Sequence, residues 1–313
     1  MRVRGIDVFR GFSILLMVFF TLILGLSSSL PDALSHNKEF SLHIGDFVLP
    51  MFLFASGMSL VFFREKIAHL NAVQRLFFVA ERFCRIAAVW FFLSPFTSGE
   101  VFGMDELMLS AVLFIPAYVL AGFGDMVLAG ASAACFAGYF ILAGSGALPN
   151  FSAHYLGGFE GAAFYLPVML GGVLAGRRLE LLPQLLAASG IAAVALLLLS
   201  APYKLSLTPS FMALSVFVSI AAYMTLERQR SGKLEFLGRD PLRYWVLMVV
   251  LVFVPLKVYA YYAGILLPLG MDWPVAILAA ASVMAGLFLI SLGLDRLVAA
   301  VMRLRKSAKA DSP

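Results

Sequence analysis

The chain has 313 residues, of which 62% are hydrophobic and 13% charged, and its mean hydropathy is +0.95. A soluble domain carries about half apolar and about a quarter charged residues, so this composition excludes that class and places the chain in a membrane. The formal charge of +5 is what a basic inner face opposite anionic lipid requires, so membrane lipid is an expected partner and nucleic acid is not.

A hydrocarbon core of about 30 Å takes roughly 20 apolar residues per helix. In chain order, apolar runs with few charges fall near 8–27, 46–63, 78–96, 107–124, 126–144, 161–177, 182–201, 207–226, 243–263 and 274–294, which predicts about ten transmembrane helices. Lipid satisfies no free backbone group, and the runs lack the alternation of a membrane barrel, so the fold class is all-α and polytopic. Connecting segments of about 20 residues at most leave no room for a soluble domain. Residues 1–313 therefore read as one transmembrane domain with a basic tail at about 296–313. The first run exceeds a signal-peptide core and precedes no A-x-A-like site, so it is expected to be retained. Cys84 and Cys135 both fall inside predicted spans and offer neither a disulfide framework nor metal-ligand spacing, and no metal is expected.

With the N-terminus cytoplasmic, the inner segments collect Arg2, Arg4, Arg64, Lys66, Arg75, Arg177, Arg178, Arg228, Arg230, Lys233, Arg239, Arg243 and the tail "RLRKSAKA", and the outer side receives Lys38, Lys204 and Lys257. This is the positive-inside pattern, and an even span count puts both termini in the cytoplasm. The stretch "SHNKEFSLHIGDFVLPMFLF" at 35–54 is then the first outer loop running into the second helix. It concentrates His36, His43 and Asp46 at the membrane threshold. An N-cap or first-turn acid favoured by the helix dipole is a sufficient reason for Asp46, and a solvated loop position a sufficient one for each histidine.

The motifs add a second reading. "RGIDVFRGFSILLMVFF" at 4–20 resembles the R-x-x-x-D-x-x-R-G opening of the transmembrane acyltransferases related to heparan-α-glucosaminide N-acetyltransferase. His36, nine intervening residues and "DFVLPMFLFASGMS" at 46–59 resemble that family's second element. "FEGAAFYLPVMLGGVLAGR" at 159–177 and "LGRDPLRYWVL" at 237–247 are similar to two further segments, although small residues and L-G-R also suit ordinary helix packing. The resemblance implies a membrane enzyme that moves an acyl group, usually acetyl, from cytosolic acetyl-CoA to an amine or hydroxyl of an extracytoplasmic sugar or glycan. It puts the catalytic role on His36. Three positions depart from the pattern: Thr21 stands where Asn or His is frequent, Met248 where His is frequent and Asp240 where Asn is frequent.

The chemistry asks for two things. An anion-binding inner mouth is supplied by Arg4, Arg10 and Arg239 with Asp7, and by Arg82, Arg85, Arg228, Arg230 and Lys233, whose charges also snorkel and orient the helices. Asp7 with Arg10 and Glu81 with Arg85 are spaced to pair on one helix face. An outer base is supplied by His36, whose unperturbed pKa of ~6.5 serves proton transfer, with Asp46 to orient the imidazole. Candidate acceptor contacts are Thr21, and His154 and Glu160 of the loop "PNFSAHYLGGFEGA" at 149–162. The acids Glu100, Asp105 and Glu106 of the segment "TSGEVFGMDELM" are suited to attract an amino sugar. A bacterial inner membrane is the expected location, and a homodimer stays open. Two rivals also stay open: a small-molecule transporter with helices broken at Pro116, Pro167 or Pro255, and a degenerate family member.

Overall fold

A computed structural model describes residues 3–31, 34, 42–97, 105–147, 158–202, 207–229, 231–263, 267 and 269–310. Among them the secondary structure is helical throughout, as the lipid argument requires. The helices are α1 (Arg4–Leu26), α2 (Val48–Ile67), α3 (Ala72–Thr97), α4 (Glu106–Leu120), α5 (Asp125–Gly144), α6 (Gly158–Arg177), α7 (Leu182–Leu197), α8 (Pro209–Leu226), α9 (Gly232–Arg239), α10 (Pro241–Met248), α11 (Val254–Ala263) and α12 (Trp273–Ala310).

Each of the ten predicted runs lands on a helix, with the run at 243–263 divided into α10, a π turn at Val249–Phe253 and α11. Among the described residues 7 helices are long and apolar enough to cross a membrane, fewer than the sequence predicts. The shortfall has a plain cause. α4 is 15 residues long, the apolar part of α6 runs only from Gly161 to Arg177, and α3 carries Arg75, Glu81, Arg82 and Arg85. Pro116 and Pro167 lie inside α4 and α6 without interrupting them, so neither helix is broken there. α12 has 38 residues, roughly 57 Å at 1.5 Å per residue, and runs through much of the basic segment because nothing between Leu294 and Ala310 is glycine or proline.

The described residues gather into two compact units. One comprises Met1–Met17 and Pro31–Pro241, the other Val18–Leu30 and Leu242–Pro313, so α1 contributes its first half to one and its second half to the other. At the centre of the first unit is α2, whose spanning stretch is 72% buried against 11% for those of α5 and α7. Glycine makes its crossing with α6 possible. A Cβ on Gly57 would land on the Met169 carbonyl oxygen and one on Gly172 on the Phe54 carbonyl oxygen, so the two backbones touch directly. Phe9 of α1 sets its ring edge-on to Phe54 of α2 at 6.3 Å and to Tyr223 of α8 at 5.8 Å. The outward faces of α3, α5 and α7 expose Phe77, Phe92, Met126, Ile141, Ile191 and Val194, surface that suits lipid.

The second unit is organised on α12. Tyr244 Oη donates to the Met284 carbonyl at 2.9 Å and Arg243 pairs with Asp295. The segment before α12 returns to α1, where Leu269 N donates to Gly25 O at 3.2 Å and Met271 N to Leu26 O at 3.0 Å, so the end of α1 has acceptors satisfied by chain rather than by water.

Candidate functional site

The helices of the first unit end on two chemically different faces. At the face where α1 begins, arginines hold the helix ends together. Arg64, near the end of α2, donates to the Tyr118 carbonyl at the end of α4 and lies 4.8 Å from the centroid of the Tyr118 ring. Arg177, closing α6, donates to Phe123 O at 2.8 Å, Ala121 O at 2.5 Å and Asp125 Oδ1 at 3.0 Å, while Arg178 Nε reaches Asp125 Oδ2 at 2.9 Å. The turn from α4 to α5 is therefore clamped by guanidinium groups, which satisfy carbonyls that a helix end leaves without partners.

The same basic face joins opposite ends of the chain. Arg10 donates through Nε to the Gly238 carbonyl at 2.6 Å, through Nη1 to Ser59 Oγ at 3.2 Å and through Nη2 to Asp7 Oδ1 at 2.9 Å. A Cβ on Gly11 would land on the Leu234 carbonyl oxygen and one on Gly238 on the Asp7 carbonyl oxygen, so α9 lies against the first turns of α1 with no side chain between them. Glu235 receives Arg4 Nε at 2.8 Å and Arg239 Nη2 at 2.6 Å. The hydrogen bond from Arg239, with the charge of Arg4 behind it, holds the Glu235 carboxyl below its usual range. Sequence also shapes this corner locally. Ser231 caps α9 through Leu234 N at 3.3 Å, and Asp240 leaves the helical region ahead of Pro241, which stops α9 and opens α10.

At the opposite face the helix starts are acidic and hydroxylic. Asp46 is fully buried in the 3-10 turn Ile44–Phe47 before α2, and its Oδ2 accepts the His43 N–H at 3.0 Å. Asp105 is also fully buried and caps α4, accepting from Leu107 N at 3.0 Å and Met108 N at 2.9 Å. Tyr165 of α6, 1% exposed, lies within the field of both Asp46 and Glu106. Thr208 caps α8 and shares a contact of 3.1 Å with Ser210, which donates to Ala201 O. Phe47 meets Phe211 at 5.9 Å, which brings the turn before α2 to the start of α8.

A family model, heparan-alpha-glucosaminide N-acetyltransferase, catalytic, matches residues 2–177, more than half of the chain. The chain belongs to that family. Among curated proteins none matches it. Membership in an acetyltransferase family and the seven long apolar helices together make this a multi-pass membrane protein of that enzyme class. The match takes in Arg10, Asp46, Ser59 and Arg177 and ends before Glu235, Gly238 and Arg239. Folding brings that later segment back onto the matched helix α1 through Arg10 and Gly11.

The candidate residues are distributed unevenly over this frame. Arg4, Asp7, Arg10 and Arg239 come together in the corner built on Glu235 and Gly238. Both helical pairs form, Asp7 with Arg10 at 2.9 Å and Glu81 with Arg85 at 2.5 Å. Asp46 has the helix-starting role that its position suggested, held by His43, while His36 and His154 lie outside the described residues. Glu160 sits in the first turn of α6, and Thr21 lies on the half of α1 that belongs to the second unit. Two participants were not picked out from sequence. Glu235 was readable from its spacing of four to Arg239, a helical ion-pair signal. Ser59 carries no such mark, since only the crossing of α1 and α2 brings it to Arg10.

Proposed function

We propose that the protein transfers an acetyl group from acetyl-CoA, docked at the basic face, to an amine or hydroxyl of a sugar or glycan presented at the acidic face. The family match carries this reading, and the division of charge between the two faces of the first unit supports it. With the basic face taken as cytoplasmic, as positive-inside bias favours, the CoA donor is on that side and the acceptor is outside a bacterial inner membrane.

The acceptor is a poor nucleophile until its proton leaves. His36 takes that proton, and Asp46, ten residues on and anchored at the start of α2, orients the imidazole. The acceptor oxygen or nitrogen then bonds to the acetyl carbonyl carbon while the carbon–sulfur bond breaks, and the CoA thiolate takes up the proton that His36 returns. Passage of the acetyl group through an acyl-imidazole requires the same residue in the same place. His154 meets the acceptor together with Glu160, which sits in the first turn of α6. No metal is needed in this scheme, and one transmembrane domain, alone or paired with a second copy, suffices.

The test is direct. Protein in nanodiscs, given labelled acetyl-CoA and a panel of amino sugars and glycans, is expected to label an acceptor or hydrolyse the thioester, and His36→Ala is expected to abolish both. Intact thioester with every acceptor, alongside uptake of a solute by vesicles containing the protein, would replace this reading with a transporter.

A further inference from the structure

Among the described residues most arginines of the basic face are held by partners on the chain. Arg4 and Arg239 share Glu235, Arg10 holds Asp7, Arg85 holds Glu81, and Arg177 and Arg178 hold Asp125. Arg82 of α3 has neither a carboxylate nor a hydrogen-bond acceptor among the described residues. Its guanidinium carbon lies 4.9 Å from the ring centroid of Phe63 on α2 and 5.0 Å from that of Phe114 on α4. Phe rings attract a cation but accept none of its five N–H groups in hydrogen bonds of ordinary strength. The charged groups that act on it are Arg10 and Arg85, both cations. A partly buried guanidinium near two like charges, its N–H groups still accessible and without an acceptor among the described residues, is placed to receive an anion.

We infer that Arg82 binds a phosphate group, which, on the function proposed above, is carried by the CoA donor. Three observations on the page select this chemistry. The negative charges of Asp7 and Glu81 are already spent on Arg10 and Arg85, so the surplus is positive and sits at Arg82. The planar fork of arginine matches the oxygens of a phosphate two at a time, which an ammonium does not. Depth fits as well: Phe63 lies four residues before the end of α2 and Phe114 six before the end of α4, about 6 Å and 9 Å along their helices from the basic face. A phosphate entering from that face reaches Arg82 without crossing the apolar middle, and a pantetheine arm beyond it points toward the acidic face.

An anionic lipid headgroup offers the same phosphate chemistry at the same depth, so the experiment has two arms. In the first, the full chain in phosphatidylcholine nanodiscs is titrated with CoA, 3′-dephospho-CoA and pantetheine, which has no phosphate. Arg82→Gln is expected to weaken CoA about tenfold or more and leave pantetheine unmoved. Arg82→Lys, which keeps the charge and loses the fork, is expected to recover part of the affinity and replaces the glutamine variant if that one does not fold. Equal weakening of CoA and pantetheine, or no weakening of either, overturns the assignment to CoA. Wild-type protein that binds no CoA instead overturns the proposed function and leaves Arg82 to the second arm. There the nanodiscs contain phosphatidylglycerol, and retained lipid is counted by native mass spectrometry. Retention that depends on Arg82 keeps the phosphate site with lipid as its source, and retention that ignores Arg82 removes the site altogether.

Discussion

Gly11 and Gly238, on helices from opposite ends of the chain, face each other so closely that a Cβ on Gly238 would clash with the Asp7 carbonyl and the Gly11 nitrogen. The obstacle is backbone, which cannot swing aside as a side-chain tip can. Gly11→Ala and Gly238→Ala are therefore expected to cost about 1–3 kcal/mol or more each by overpacking, as are Gly57→Ala and Gly172→Ala at the crossing of α2 and α6. Gly130 and Gly138 of α5 have open space at the same position, and alanine there is expected to be neutral or to stabilise by up to about 1 kcal/mol through helix propensity. Thermal unfolding in one detergent compares all six. A uniform response would refute the packing argument.

Arg10 and Asp7 form a part-buried pair in which each compensates the other. Removing one partner leaves the charge of the other poorly compensated, so Arg10→Ala or Asp7→Ala is expected to cost about 3–5 kcal/mol, with Arg10→Ala the worse because Ser59 and Gly238 also lose their donor. The double variant Asp7→Ala with Arg10→Ala is expected to cost less than the two single variants together. A strictly additive double-mutant cycle would show that the two do not act as a pair.

Glu235 gives the corner a pH dependence with a definite sign. Its carboxyl is held below the usual range, chiefly by the Arg239 hydrogen bond, so the folded state binds the proton less readily than the unfolded state, whose carboxyl titrates near ~4.3. The stabilisation is complete above that value and is lost as pH falls through the lower folded value. Wild type and Glu235→Gln are expected to differ in unfolding temperature at pH 7 and to converge in acid. A difference that stays constant from pH 7 down to pH 3 would rule out this linkage.

His36 as the base predicts a rate that rises with pH as the imidazole loses its proton. Its removal is expected to cost about 10²–10⁴-fold in turnover. Asp46→Asn should lower turnover while also loosening the start of α2, because the carboxylate accepts the His43 N–H. Measuring turnover beside thermal stability for Asp46→Asn and Asp46→Ser separates the two roles. Loss of stability with unchanged turnover would leave Asp46 a helix-starting acid only.

The helical class and the position of each span were legible because lipid forces apolar residues into uninterrupted runs, and the helices end within a few residues of those runs at most positions. Helical pairs such as Asp7 with Arg10 were legible too, since spacing on one helix fixes them. Contacts between helices were not. "RG" and "LGR" read as motif fragments until the approach of Gly11 and Gly238 shows that their glycines are crossing points, and no periodicity links Arg10 to a carbonyl 228 positions away. Arg82 looked like any other inner arginine because sequence counts charges without showing which are already matched. The apolar span near 274–294 was legible, while the continuation of α12 to Ala310 is seen only in the structure.

The lock between α1 and α9 sets an order of events during synthesis. The first helix enters the bilayer while its latch, residues 234–239, is still untranslated, so α1 must wait, inserted but unfastened, until most of the polypeptide has left the ribosome. Final seating of the amino terminus is therefore a late step, and a chain released before Leu234 would carry the whole matched region yet have nothing to close it.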